Sequence, residues 1–167
     1  MSDRPKRKRK KRPAKRSSPR LSVRRVRGED VFELVHPRCV ERRAEDLEEV
    51  RTMLDAGEID VAVDELRWLL EGCRELLEAH RLLGQIASSA GDVPLARAHF
   101  GRAYELALKV LPKGGLPGTL PYARDANRAF FEAGRGLVEC LVQLGETGLA
   151  DGFVKQLLAL DPSWENA

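Results

Sequence analysis

Residues Leu77–Leu111 read LEAHRLLGQIASSAGDVPLARAHFGRAYELALKVL. Leu83, Ile86 and Ala87, with Leu76 just before the stretch, recur at helical spacing and line one face. Gly91-Asp92 breaks the pattern, and Pro94 follows in a first helical turn, where a missing N–H costs little. Leu95, Ala96, Phe100, Ala103, Leu106 and Ala107 then mark a second apolar face, which stops at Leu111-Pro112. Two amphipathic helices joined by a tight glycine turn make a helical hairpin. Gly91 and Ala96 have counterparts 34 residues earlier, Gly57 and Ala62, and 54 residues later, Gly145 and Ala150. In each case the glycine ends one apolar-periodic segment and the alanine sits early in the next, as expected of stacked repeats.

Working outward, Pro37 opens a helix carrying Val40, Ala44, Leu47, Val50 and Leu54, and Gly57 stops it. Val61, Ala62, Leu66, Leu69 and Leu70 form its return helix, which breaks near Gly72. A third hairpin runs from about Tyr122 to Leu144, turns at Gly145 and returns over Leu149–Leu160, closed by Asp161-Pro162. Residues 112–121 hold three prolines and three glycines and read as an irregular loop. The reading is all-α: about six helices in hairpins over 38–72, 75–111 and 122–160, in a domain spanning 29–164. Glu29–Val35 is expected to be an extended lead-in packed on the first helix, and no strands are otherwise expected.

The segment Leu77–Leu111 resembles a tetratricopeptide repeat. Gly84 falls at the family's eighth position, Gly91-Asp92 at its turn, and Ala96, Phe100 and Ala103 at the packing positions of its second helix. The first hairpin keeps Gly57, Ala62 and Leu66 but has Val50 for the small eighth residue. The third keeps Leu137, Leu141, Gly145, Ala150 and Asp161-Pro162 but has Val138 there. The resemblance implies a short right-handed superhelix of stacked hairpins whose first helices line a concave groove. By position, that groove is faced by Arg51 and Asp55, by Arg81, Gln85 and Ser88, and by Glu132, Arg135 and Glu139. Some family members grip a peptide's terminal carboxylate with groove cations. Here Glu132 stands where a cation is needed and Gly136 cannot supply one, so that clamp is not expected. The alternative for all eight residues is a solvated helix face. The function implied is a non-catalytic scaffold or adaptor that binds a protein or peptide partner through the groove or an end face.

Charge is unevenly distributed. The chain has 29 Lys and Arg against 26 Asp and Glu, a net +3. Residues 1–27 alone carry +13, leaving −10 on the remainder. Lys6, Arg7, Lys8, Arg9, Lys10, Lys11 and Arg12 form one unbroken basic run between two prolines. Residues 1–28 offer almost nothing apolar to bury, so a disordered basic arm is expected. Such a run can neutralise phosphates of DNA or RNA, which makes a nucleic-acid-associated adaptor the alternative function. It could equally bind anionic lipid or screen the acidic body. No aromatic residue precedes Phe32, so there is no platform for stacking bases.

Catalytic chemistry finds no constellation here, and no cofactor or metal is expected. His36 and Cys39 are two close potential ligands without the second pair that a structural zinc site wants. His80 and His99 fall within the second hairpin, and His80, at a packing position of the family that this segment resembles, reads as a core or groove-edge histidine. Gly114-Gly115 lacks the Lys-Ser/Thr of a phosphate loop. Cys39, Cys73 and Cys140 are odd in number and widely spaced, so no disulfide is expected and a cytoplasmic location is inferred. No stretch approaches the roughly 20 apolar residues of a membrane span. Outside the arm, three Lys stand against twelve Arg, which points to a GC-rich bacterial genome. Phe130 and Phe131 are expected in the core, Trp68 between repeats, and Trp164 over the end of the stack, where an exposed apolar surface would favour a homodimer.

Overall fold

The computed structural model describes residues 20–164. Among them the chain forms β1 (Ser22–Arg25), β2 (Phe32–Val35), α1 (Arg38–Arg42), α2 (Ala44–Asp55), α3 (Ile59–Gly72), α4 (Leu77–Ser89), α5 (Val93–Leu108), α6 (Asp125–Gln143) and α7 (Thr147–Leu160). The fold is dominated by helices that pack in sequence-adjacent pairs, α2 with α3, α4 with α5, and α6 with α7. Successive pairs join through α3 against α4, α5 against α6, and α4 against α6.

The recurring glycines have one shared conformation. Gly57, Gly91 and Gly145 have φ of 77°, 78° and 77°. The N–H after each bonds back to the carbonyl five residues earlier: Glu58 to Met53 at 2.9 Å, Asp92 to Ala87 at 2.9 Å, and Glu146 to Leu141 at 2.8 Å. These are three copies of one helix-terminating turn, which requires a left-handed residue after the last helical one. The alanines that follow, Ala62, Ala96 and Ala150, are all buried where the returning helix crosses its partner. Asp92 also caps α5, its side chain accepting from the Leu95 N–H at 3.0 Å.

The closest helix approaches centre on Phe100. A Cβ placed on Gly84 of α4 would lie 2.7 Å from its ring, and one on Gly136 of α6 would lie 2.6 Å from it. The ring of α5 is thus wedged between two helices that reach it only because both lack a side chain there. Beyond it, Tyr104 stacks on Phe130 at 4.9 Å, Phe130 meets Phe131 edge-on at 5.1 Å, and Trp164 packs on Phe131 at 6.1 Å. This larger core runs from α4 to α7. A second one, around Leu47, Val50, Ala62, Leu66, Leu69, Leu76 and Leu82, serves the first pair and α4.

Four expectations need correction. First, the helix read from Pro37 to Gly57 is divided at Arg43 into α1 and α2, which gives seven helices among the described residues. Second, there are strands: β1 and β2 pair antiparallel with Ser22 opposite Val35 and Arg25 opposite Phe32. Ser22–Arg25 lies within the segment assigned to the arm, so regular structure already holds before residue 29. The lead-in packs on α6 rather than on the first helix. Buried Asn127 accepts from the Leu34 N–H at 2.9 Å and donates to the carbonyls of Phe32 and Pro121 at 3.2 and 2.9 Å. Third, Cys39 and Cys73 form a disulfide, which removes free thiols as a ground for a cytoplasmic location. Closing a loop of this length restricts the unfolded chain by about 3–4 kcal/mol on the chain-entropy account. Fourth, Trp68 is half exposed with the Arg43 guanidinium 4.3 Å over its ring, instead of filling a gap between repeats.

The 112–121 loop has no regular structure of its own but is fastened at several points. Thr119 bonds through its carbonyl to the Phe32 N–H at 2.7 Å and through its N–H to the Asp30 carbonyl at 3.1 Å. Leu120 is fully buried, and its N–H reaches Leu160 O at 2.8 Å. A Cβ on Gly118 would lie 2.2 Å from the Asp30 carbonyl oxygen, so no other residue fits there. The helical glycine Gly152, by contrast, has nothing within 4 Å of a built Cβ.

Two stability tests follow from this packing. Gly136→Ala should lose about 1–3 kcal/mol in urea titration, overpacking outweighing the gain of about 1 kcal/mol in helix propensity. Gly152→Ala should gain about 0.5–1 kcal/mol, and equal gains at both positions would refute the wedge. Asn127→Ala strands the buried Leu34 N–H and should cost about 2–4 kcal/mol, with hydrogen exchange rising first in β1 and β2.

Candidate functional site

The first helices of the three pairs, α2, α4 and α6, contribute a connected set of partly buried polar side chains. At its centre is Glu78 of α4, in the first turn of that helix. Its carboxylate accepts from Arg51 Nη2 of α2 at 2.8 Å, and from Arg81 Nε and Nη2 at 2.8 Å each. Arg81 also approaches Glu132 of α6, with Nε 3.1 Å from Oε2, and donates through Nη1 to Gln85 Oε1 at 3.0 Å. Glu132 accepts from the Tyr122 hydroxyl at 3.3 Å. An unbroken polar chain therefore crosses from α2 over α4 to α6. The side chains of Glu78 and Arg81 are 18% and 17% exposed, enough burial for their pairing to be screened weakly.

Burial by itself would raise the Glu78 carboxyl, but the hydrogen bonds and charge of Arg81, and then of Arg51, outweigh it and hold the group below its ordinary 4.5. Arg81 moves the other way: its bond to Glu78 and the charges of Glu78 and Glu132 outweigh burial and hold its proton more tightly.

Above this chain is a cleft of about 520 Å³. One wall is His36 and Val40, the floor is Leu76, Leu77, Glu78 and Arg81, and the far wall is Asp125, Ala126, Arg128, Ala129 and Glu132. The segment after β2 closes one side, because His36 Nε2 is hydrogen-bonded to the Ala126 carbonyl at 2.7 Å. A smaller cleft of about 390 Å³ continues past Gln85 to Arg135 and Glu139, with the edge of Phe100 at its base. Arg135 lies 5.2 Å over the Trp164 ring. Apolar patches beside fixed polar groups are what a binding cleft offers.

Six of the eight groove residues named from the sequence line the two clefts: Arg51, Arg81 and Glu132 the larger, and Gln85, Arg135 and Glu139, with Arg81 and Glu132 again, the smaller. Asp55 is exposed and Ser88 half-buried, and neither lines these clefts. Lys6–Arg12, the phosphate-binding candidates, lie outside the described residues. Two contributors went unnamed. Glu78 was legible as an acid three residues before Arg81, but only the approach of α2 makes it the hub. Tyr122, outside the helices, reaches Glu132 through the course of the 112–121 loop. His36 and Cys39 do not act as a ligand pair, since Cys39 is bonded to Cys73. His80 packs against His99 with ring centroids 5.8 Å apart. Burial first, then the charges of His99 and Arg102, bring His80 down to about 4, so it is neutral at pH 7. Among the described residues, no group of three or more His, Cys, Asp or Glu could hold a metal ion, and no helix is long and apolar enough to cross a membrane.

No protein-family model matches the chain, and neither the curated proteins nor the solved structures contain a significant match to it.

The sign of the Glu78 effect is testable. A carboxyl held below its unfolded value contributes stability that is present above about pH 4.5 and lost as pH falls through its folded value. Arg81→Met should therefore flatten the acid limb of stability between about pH 5 and 3. It should also cost about 1–3 kcal/mol at pH 7, where Glu78 keeps only Arg51. Thermal melts across that range would show both effects, and an unchanged acid limb would exclude Glu78 as the group responsible.

Proposed function

We propose that the chain is a non-catalytic scaffold or adaptor of tetratricopeptide-like hairpins that binds a protein or peptide partner along the cleft formed by α2, α4 and α6. The observation that carries this is the cleft itself. First helices of consecutive hairpins line two adjoining clefts, and in the larger one Arg51, Arg81, Glu78 and Glu132 are already paired with one another across three helices. A cleft whose Arg51, Arg81 and Arg128 are already paired with carboxylates suits a partner that brings neutral hydrogen-bonding groups and apolar side chains, as a peptide segment does. It is poorly suited to a free phosphate or a terminal carboxylate, which would have to displace Glu78 or Glu132 from Arg81. Support for the repeat reading comes from the three matching glycine turns, the buried alanines after them, and Gly84 meeting Phe100.

The second reading is a nucleic-acid-associated adaptor. The feature favouring it is the seven-residue basic run at Lys6–Arg12, joined to a body of opposite charge. The two readings predict different losses of binding. Ala129→Arg places a long side chain in the cleft from a half-buried position of α6 and should abolish capture of a protein partner by the full chain, in the presence of nuclease, by more than about tenfold. Replacing Lys6–Arg12 by serine should leave that capture intact. If instead the serine variant loses everything captured, and nuclease does the same, the nucleic-acid reading holds and the cleft reading fails.

A further inference from the structure

We propose that the Cys39–Cys73 disulfide is a redox latch on the cleft, whose reduction releases α1 and opens the wall made by His36 and Val40. The two ends of this bond are held very differently. Cys73 is 2% exposed and belongs to the second core, and its N–H completes the end of α3 by bonding to Leu69 O at 2.9 Å. Three residues on, fully buried Leu76 forms part of the cleft floor. That side does not depend on the disulfide.

The Cys39 side does. The α1 helix is five residues long, contains no buried residue and has no side-chain N-cap, and a helix this short has no stability of its own. It packs mainly on α2. Beyond that packing, Pro37 is buried, Cys39 and Val40 lie half-buried at the edge of the second core, and Arg43 at the end of α1 lies over Trp68. The cross-links to other elements are the bond from Cys39 and, just upstream, the His36–Ala126 hydrogen bond. His36 and Val40, the two residues of this segment that line the cleft, flank Cys39 in the sequence. Cutting the bond thus frees the weakly held partner and leaves the firmly held one in place. The hairpin between the two cysteines keeps Leu47, Val50, Ala62, Leu66 and Leu69 in its core, so release of α1 need not unfold it.

The chemistry is ordinary thiol–disulfide exchange with a dithiol reductant. Its thiolate attacks Sγ of Cys39, the less buried of the two cysteines, and the Cys39–Cys73 bond breaks with the electron pair leaving on Cys73 Sγ, which takes up a proton. The second thiol of the reductant then attacks the mixed disulfide, releasing Cys39 as a thiol and leaving the reductant as its cyclic disulfide. Two electrons pass from the dithiol to the cystine. Cys140 does not intrude: it is 1% exposed inside the larger core, where burial and then the charge of Glu139 push its thiol up, away from thiolate.

The consequence for partner binding rests on the cleft being the functional surface, but the latch can be tested with no ligand. The air-oxidised full chain, denatured with iodoacetamide, should gain one label (Cys140), and three after dithiothreitol. Hydrogen exchange followed by mass spectrometry should show residues 36–43 exchanging about tenfold or more faster after dithiothreitol, with α4 and α6 unchanged. Cys39→Ser should exchange fast in this segment with or without reductant, and Cys140→Ser should respond to reductant like the parent chain. Three labels without reductant would overturn the proposal. So would unchanged exchange at 36–43, or a rise spread evenly over all helices, which would make the bond a general brace. Failure of the Ala129→Arg test with the latch intact would count against the cleft reading alone.

Discussion

The packing of Phe100 against Gly84 and Gly136 is the constraint on which the rest of the molecule depends. An aromatic ring on the second helix of the middle hairpin is inserted between the first helices of the middle and last hairpins, and each yields by having no side chain at the contact. This brings α4 and α6 close enough for Arg81 to reach Glu132 and places the same ring at the base of the smaller cleft. Bulk at either glycine would separate these helices and the polar chain with them, so core packing and site geometry are here one problem.

The polar chain is a consequence of that spacing and acts on it in return. Glu78 has three donors from two arginines, and Arg81 is shared between two carboxylates and an amide. A partly buried pair left half-satisfied is costly, whereas a fully connected one favours a single arrangement of the helices that contribute to it. The β-hairpin and the 112–121 loop have a comparable role at the N-terminal end of α6. Asn127 ties three backbone groups together, Arg124 reaches Glu29 and Glu33 at 3.1 and 3.2 Å, and Asp161 accepts from the Tyr122 N–H at 2.8 Å. Burial of Asp161 opposes its ionisation, but the bonds from Tyr122 and Ser163 outweigh this and keep its carboxyl below the ordinary value. What reads in the sequence as an irregular loop is a fixed strap between the hairpin and the end of α7.

Much of the helical order was legible because its signals are local. A glycine at the turn, an alanine five residues on and apolar residues at three- and four-residue spacing placed the helices after Gly57, each within a few residues of its observed ends. Gly84 was legible through the tetratricopeptide resemblance, whose small eighth residue implies a close approach. The strand Ser22–Arg25 was hidden by its own composition: three of its four residues are serine or arginine, and its pairing depends on β2, seven residues further on. The disulfide was hidden for a related reason. Cysteines 34 residues apart meet only because α2 and α3 fold back on each other, and their spacing carries no trace of it.

The sequence by itself determined the helical hairpins, their turns and the separation of a basic segment from an acidic body, because these depend on backbone conformation, short-range periodicity and summed charge. Only the tertiary structure decided that Arg51, Glu78, Arg81 and Glu132 form one chain, that Asn127 holds the β-hairpin, and that Cys39 meets Cys73. Each joins residues on different elements, and the direction and distance between those elements are set by how side-chain volumes fill the space between helices, a sum over the whole core that no single segment contains.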